Sequence, residues 1–148
     1  MGISYMREDR RLIPELTVSE NMLMPAWANK IKDGEDRLKW VYSLMPEIAD
    51  FGERKALQLS GGQQKLVALG RALIPGRELI LLDEPFEGVA PVLAMRLTSV
   101  IADLRGEGLT VLIAESDDTH SADLVDATWR IERGSVSAGR EHASASVD

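Results

Sequence analysis

The sequence predicts an α/β fold with a mostly parallel sheet covered by helices, and three features of its second half support that prediction. Residues 79–82 are all aliphatic, as expected of a strand in a parallel sheet that is covered on both faces. Apolar side chains then recur at helical spacing from Leu93 to Leu104, and another apolar run covers residues 109–114. Strand, helix and strand in this order are typical of a parallel sheet with crossover helices.

The first half of the chain predicts helices. Thr17 and Glu20 have the spacing of a capping box, so we expect a helix that begins at Thr17 and ends near Pro25. Apolar side chains at one helical face over residues 38–45 predict a second helix. A third helix should follow Ser60, where the capping-box spacing occurs again.

These patterns divide the chain into three expected parts. Residues 1–76 form a mainly helical part, and residues 77–136 form the sheet-containing core. Within that core we also expect a short helix at 119–125 and a third strand at 128–132. Residues 137–148 are small and polar, which predicts a flexible tail that frays.

Composition excludes several classes of protein. The 148 residues carry a net charge of −7, which disfavours binding to the phosphate backbone of nucleic acids. Cysteine is absent, so the chain has no disulfide, no thiolate metal site and no thiol nucleophile. Uncharged stretches are far shorter than the ~20 apolar residues that cross a bilayer. The composition is therefore that of a soluble globular protein with no nucleic-acid partner.

Asp83 and Glu84 follow the aliphatic run directly. Parallel sheets bind their ligands at the carboxyl ends of the strands, so these carboxylates are candidates for chemistry. Neighbouring strand residues point to opposite sides, which suggests different tasks: one carboxylate holds Mg²⁺ and the other polarises an attacking water. The alternative is that the two acids merely end a strand with solvated charge.

The segment Ser60, Gly61, Gly62 and Gln63 precedes a predicted helix. A helix start presents unpaired N–H groups and a positive dipole end to an anion, and glycine permits close approach of the backbone. This pattern suggests a phosphate-binding segment. The structural alternative is that Ser60 is only a helix cap and the glycines only a turn.

Leu-Ser-Gly-Gly-Gln at residues 59–63, followed by an aliphatic strand and Asp-Glu-Pro, resembles the ATP-binding subunits of ABC transporters. The resemblance runs over residues 2–136. It implies a partial P-loop NTPase (ABC ATPase) domain with a helical signature subdomain. It also implies ATP hydrolysis coupled to solute transport, a head-to-tail dimer with a second ATP-binding subunit, transmembrane permease subunits as partners, and a location on the cytoplasmic face of the membrane.

The resemblance also implies roles for the residues singled out above. Residues 59–63, here called the signature segment, would contact the γ-phosphate of ATP held by the opposite subunit through Ser60, Gly61, Gly62 and Gln63. Asp83 would serve Mg²⁺, and Glu84 would be the general base.

The chain departs from the family pattern most clearly in its phosphate loop. No segment reads Gly-x-x-x-x-Gly-Lys-Ser/Thr, and the chain starts where the family has its Q-loop. In related NTPases the strand that feeds this loop lies between those resembling residues 109–114 and 128–132. We therefore expect an unpaired strand edge in the sheet, and no ATP turnover by the chain alone.

Two further departures affect candidate site residues. The Q-loop glutamine aligns with Glu8, whose carboxylate would still be a metal ligand; the alternative is a place in a solvated charge cluster. The switch histidine aligns with Ser116, whose hydroxyl can bind a γ-phosphate but cannot carry a charge.

Residues 87–91 and the opening, residues 2–18, resemble the branch that imports branched-chain amino acids, amides or urea. The expected function is thus the C-terminal portion of the ATPase subunit of such an importer. The alternative is a naturally shortened, non-enzymatic partner that docks on transporter subunits.

Overall fold

The computed structural model describes residues 2–141 and contains, within them, five strands and five α-helices. None of these helices is long and apolar enough to cross a membrane. A 3-10 turn, Ala56–Gln58, precedes the fourth helix. In chain order the elements are β1 (Ile3–Met6), α1 (Val18–Ala28), α2 (Gly34–Leu44), α3 (Pro46–Ala49), α4 (Gly61–Leu73), β2 (Leu79–Asp83), α5 (Pro91–Gly106), β3 (Thr110–Ala114), β4 (Ala127–Glu132) and β5 (Ser135–Glu141).

Three strands form a parallel sheet in the order β1-β2-β3, with Tyr5 paired to Leu81 and Leu81 to Leu112. The predicted α/β class with a parallel sheet is therefore confirmed. Since β1 lies in this sheet, the sheet draws on both sides of the division expected at residue 76, and that division remains a prediction. Strands β4 and β5 form a separate antiparallel hairpin.

One face of the parallel sheet is covered and the other is open. Ile80 and Leu82 are fully buried in the core cluster that includes the inner sides of α4 and α5. On the opposite face Tyr5 and Leu112 are each 50% exposed. The expectation that the aliphatic run of β2 is covered on both faces is therefore wrong: its alternate residues are only partly buried.

The outer edge of β3 is unpaired in the described part of the chain. β3 pairs only with β2, and β4 pairs only with β5, so no strand joins the two sheets there. This arrangement agrees with the predicted gap between these strands.

The first helix continues beyond the predicted end. Thr17 and Glu20 form the predicted capping box, with Glu20 N–H donating to Thr17 Oγ1 at 3.1 Å. The helix then runs through Pro25 to Ala28. Burial of Ala26 in the core holds the segment after the proline in place, and Asn29 closes the helix by donating to the Pro25 carbonyl. Packing here outweighs the helix-breaking tendency of proline.

Two other expectations about the second half are corrected. Residues 119–124 form turns, so the helix expected at 119–125 is not formed. Asp117 accepts hydrogen bonds from the backbone and side chain of Thr119, an arrangement that competes with helical bonding. The tail does not fray from residue 137, because β5 continues to Glu141 and Ser137 pairs with Arg130 of β4. The rest of the predicted flexible tail, residues 142–148, lies outside the described residues.

Candidate functional site

The signature segment lies at the exposed start of α4. Ser60 is the N-cap: its Oγ accepts from Gln63 N–H at 3.2 Å, and Gln63 Oε1 accepts from Ser60 N–H at 3.0 Å. Ser60 and Gly61 are exposed and face solvent, whereas Leu59 is buried in the core. A Cβ on Gly62 would lie only 3.0 Å from Leu93 Cδ2, so glycine allows the start of α5 to approach. The helix start is thus open to an anion, and the Gln63 side chain is engaged in the cap.

An arginine lies beside this helix start. Arg10 Nη1 donates to the Gly61 carbonyl at 2.9 Å, although Arg10 belongs to the loop that follows β1. Arg71, further along α4, donates to the carbonyl of Arg11 at 2.7 Å and to the carbonyl of Arg10. The loop after β1 is therefore tied to α4 at two points.

Asp83 ends β2 and is bonded to a tyrosine of the neighbouring strand. Tyr5 Oη donates to Asp83 Oδ2 at 2.5 Å, and this hydrogen bond raises the pKa of Tyr5. The parallel register explains the contact, since Tyr5 pairs with Leu81 and Asp83 follows two residues later on the same face. Sequence reasoning missed Tyr5; its polar tip on the strand beside the Asp-Glu segment was the available signal.

Glu84 lies in a turn just beyond β2, with φ at +45°, a left-handed conformation that is unusual for a residue with a side chain. Its N–H donates to the Ala114 carbonyl at the end of β3, at 2.9 Å. Its Oε1 accepts from the backbone N–H of Ser116, also at 2.9 Å. The parallel strands β2 and β3 thus bring two predicted site residues, Glu84 and Ser116, into contact.

Glu8 follows β1 and lies among other carboxylates. A hydrogen bond with Glu87 raises the pKa of Glu8, and the negative charges of Glu87, Asp83 and Glu84 raise it further. The structure therefore brings Glu8 near the Asp83 and Glu84 pair.

The carboxylates fit an open magnesium site better than a closed one. No group of three or more metal-binding side chains within residues 2–141 could by itself hold an ion. Mg²⁺ prefers oxygen ligands and is usually bound by one or two carboxylates together with water and substrate phosphates. Asp83 and Glu8 have suitable chemistry, and the raised pKa of Glu8 marks negative charge that a divalent cation would relieve.

The two halves of the candidate site are joined indirectly. In the described part of the chain no hydrogen bond connects residues 60–63 with Asp83, Glu84 or Ser116. The connection is Lys65, a buried residue of α4 whose Nζ donates to the Glu84 carbonyl at 2.6 Å. Burial lowers the pKa of Lys65, as does the charge of Arg10. Sequence reasoning missed this lysine as well.

Comparison with known proteins supplies the family. A family model described as "ABC transporter" matches residues 1–87. BraG of Pseudomonas aeruginosa, a high-affinity branched-chain amino acid transport ATP-binding protein, is 34% identical over 135 residues, which are 91% of this chain and 58% of BraG. LptB of Haemophilus influenzae, a lipopolysaccharide export system ATP-binding protein, is 31% identical over 139 residues, or 93% of this chain and 58% of LptB.

A solved structure has the same fold. The crystal structure of the ADP conformation of MJ1267, an ATP-binding cassette of an ABC transporter, matches with a TM-score of 0.79 and 28% identity, over 94% of this chain and 61% of that one. The chain thus spans about 60% of the length of these relatives. The family match, the relatives and the shared fold together place this protein in the ABC transporter family, with the fold of part of an ATP-binding cassette.

Proposed function

We propose that the chain is the C-terminal portion of the ATP-hydrolysing subunit of an ABC importer, active only when a phosphate-loop segment completes the site. The observation that carries the proposal is the Glu84 carboxylate, fixed by Ser116 N–H at the carboxyl end of β2 beside Asp83. This edge is where α/β sheets bind their ligands. A general base must be held in place to accept a proton from water, and Glu84 meets that requirement.

In the proposed mechanism Glu84 accepts a proton from the water whose oxygen attacks the γ-phosphorus of ATP. The bond between the γ-phosphorus and the β–γ bridging oxygen breaks, which yields ADP and phosphate. When bound at Asp83 and Glu8, Mg²⁺ would neutralise charge on the phosphates. Ser60 Oγ accepts from Gln63 N–H and can still donate its own proton to a phosphate oxygen. The Ser116 hydroxyl is proposed as a further γ-phosphate donor.

The proposal includes partners. The signature segment, exposed at Ser60 and Gly61, would close over ATP held by a second ATP-binding subunit in a head-to-tail dimer. Ser60, Gly61 and Gly62 would supply N–H and O–H donors there. Transmembrane permease subunits would hold the dimer at the cytoplasmic face of the membrane. The solute is proposed to be a branched-chain amino acid or a related amide, which the name of BraG and the resemblance at residues 2–18 and 87–91 support.

The first test concerns nucleotide binding by the chain alone. Calorimetry with Mg-ATP should show no tight binding. The signature segment and the Asp83–Glu84 pair are two parts of the ATP site, and they are insufficient without the third part, the phosphate loop. Saturable binding below 1 µM would contradict the proposal, since that affinity corresponds to more than about 8 kcal/mol. The same titration after addition of a phosphate-loop polypeptide from a family member should show binding and hydrolysis. Absence of hydrolysis in every such mixture would also contradict it.

A second candidate function is favoured by the open sheet face and by the outer edge of β3, which no strand within residues 2–141 pairs. Such surfaces invite association, and the chain could be a non-enzymatic partner that docks on an intact ATPase. Addition of the chain to purified BraG would decide this point. A saturable change in the ATPase rate of BraG supports docking, whereas an unchanged rate at all concentrations argues against it.

A further inference from the structure

Lys65 stands out among the described residues because it is their only charged residue that is buried, with 4% of its surface exposed. It lies in α4, two positions after the signature segment. Burial of an ammonium group is unfavourable unless the group is fully hydrogen-bonded. The position of its acceptors therefore indicates what the lysine does.

The acceptors of Lys65 are backbone carbonyls rather than carboxylates. Nζ donates to the Glu84 carbonyl at 2.6 Å and to the Glu87 carbonyl at 3.3 Å. The Glu84 carbonyl also accepts from the Glu87 N–H at 3.2 Å, so Lys65 binds both ends of a single turn. The lysine thus connects α4 to the backbone of residues 84–87.

This turn is strained, and its strain needs support from its surroundings. Glu84 has φ at +45°, and such conformations persist only where neighbouring groups enforce them. Three contacts do so at this position: Ala114 accepts from the Glu84 N–H, Ser116 N–H donates to the carboxylate, and Lys65 donates to the carbonyl. Of these three, only the contact from Lys65 comes from the helix that carries the signature segment.

We propose that Lys65 is a positioning residue whose ammonium group fixes the strained turn at Glu84 and thereby aims the Glu84 carboxylate. Its importance for chemistry rests on the proposed function, because only that function makes Glu84 a base. In a head-to-tail dimer the same side chain would connect the base of one site to the signature segment that serves the other site.

A purely structural explanation predicts a different response to substitution. If the side chain of Lys65 only fills space, an apolar side chain of similar length, as in Lys65→Met, should replace it without effect. Lys65→Met keeps the apolar stem and removes the ammonium donor, whereas Lys65→Arg keeps a cationic donor. Lys39→Met is the control, because Lys39 is exposed on α2 and bonds only to Asp36 in the described structure.

The test is amide hydrogen exchange by NMR on the full 148-residue chain without nucleotide. The reporters are the N–H groups of Glu84, Glu87 and Ser116. Lys65→Met should speed their exchange roughly tenfold more than that of the β2 amides, the factor expected from loss of one charge-assisted hydrogen bond. Lys65→Arg should restore most of the protection, and Lys39→Met should change nothing. Uniform acceleration over the whole chain, or no acceleration, would overturn the proposal.

A second measurement connects the turn to the reaction. In the mixture with a phosphate-loop polypeptide, Lys65→Met should lower kcat about tenfold or more and leave KM for ATP within about twofold, since a misdirected base slows the chemical step without weakening binding. Lys65→Arg should recover kcat. An unchanged kcat in an active mixture would overturn the assignment. If no mixture hydrolyses ATP, the proposed function fails, and the exchange rates still decide whether Lys65 holds the turn.

Discussion

The backbone N–H of Ser116 donates to Oε1 of Glu84 at 2.9 Å, so the second residue after β3 contacts the carboxylate that follows β2. The position of Ser116, which aligns with the switch histidine, suggests a role for its hydroxyl, but its contact with Glu84 is made by the main chain. Any residue except proline could supply this N–H group. This contact to Glu84 therefore depends on the parallel strand pair and not on the serine side chain.

Substitution of the proposed base should separate binding from turnover. Glu84→Gln keeps an oxygen that can accept from Ser116 N–H and removes the group that takes the proton. In an active mixture with a phosphate-loop polypeptide we expect turnover to fall by about 10² to 10⁴, with ATP affinity preserved. Single-turnover kinetics and calorimetry measure the two quantities. Glu107→Gln, at the exposed end of α5, is the control; a retained rate in Glu84→Gln would remove Glu84 from the role.

Two capping boxes offer a matched test of the signature segment. Ser60→Ala and Thr17→Ala each remove a side chain that caps a helix, and each should lower the free energy of unfolding by about 1 kcal/mol. Urea denaturation measures this effect. Only Ser60→Ala should also slow hydrolysis in an active dimer. Equal ATPase rates for the two variants would show that Ser60 acts only as a helix cap.

Gly70 allows α1 and α2 to pack closely against α4. A Cβ at this position would lie 2.7 Å from Met22 Sδ and 3.1 Å from Val41 Cγ1, and both neighbours are fully buried. Gly70→Ala should therefore destabilise the chain by about 1–3 kcal/mol through overpacking. Gly106→Ala in α5 meets nothing within 4 Å and should stabilise by about 0.5–1 kcal/mol. Thermal unfolding would reveal opposite shifts; shifts of the same sign would contradict this packing.

Acid should weaken the connection between α3 and α5. Arg96 binds Glu47 at 2.6 Å, and this hydrogen bond lowers the pKa of Glu47. A lowered carboxylate pKa contributes stability above the ordinary value near 4.5, and that contribution disappears as pH falls through the lowered pKa. Because both groups are about one-third exposed, we expect only about 0.2–1 kcal/mol.

The pH dependence can be assigned by comparison of two variants. Glu47→Gln should flatten the loss of stability below pH 4.5 when unfolding is followed by circular dichroism. Asp36→Asn, which removes a far more exposed pair with Lys39, should leave the profile almost unchanged. Identical acid profiles for wild type and Glu47→Gln would refute the role of this pair.

Local signals explain what the sequence could predict. The capping boxes at Thr17 and Ser60 depend on residues three positions apart, and both are present in the structure. The aliphatic run at residues 79–82 was sufficient to predict the strand that ends at Asp83. The resemblance singled out Glu84 and Ser116 separately, and parallel pairing of β2 with β3 brings them into contact.

Contacts between distant residues explain the rest. Tyr5 reaches Asp83 across 78 positions and Lys65 reaches Glu84 across 19, so no periodicity could reveal either contact. Continuation of α1 through Pro25 depends on burial of Ala26 against the rest of the core. Small polar residues after Ser137 resembled a loose tail, yet β4 supplies a partner strand for them.

The loop between β1 and α1 connects Glu8 to helix α4. Arg10 and Arg11 both have positive φ. Their carbonyls accept hydrogen bonds from Arg71, and the Arg10 side chain donates to the Gly61 carbonyl. Glu8 is therefore attached to the sheet on one side and to α4 on the other. Rotation of α4 against the sheet would pull this carboxylate along with the helix start, so a single rigid-body movement would displace a candidate metal ligand and a candidate phosphate donor together.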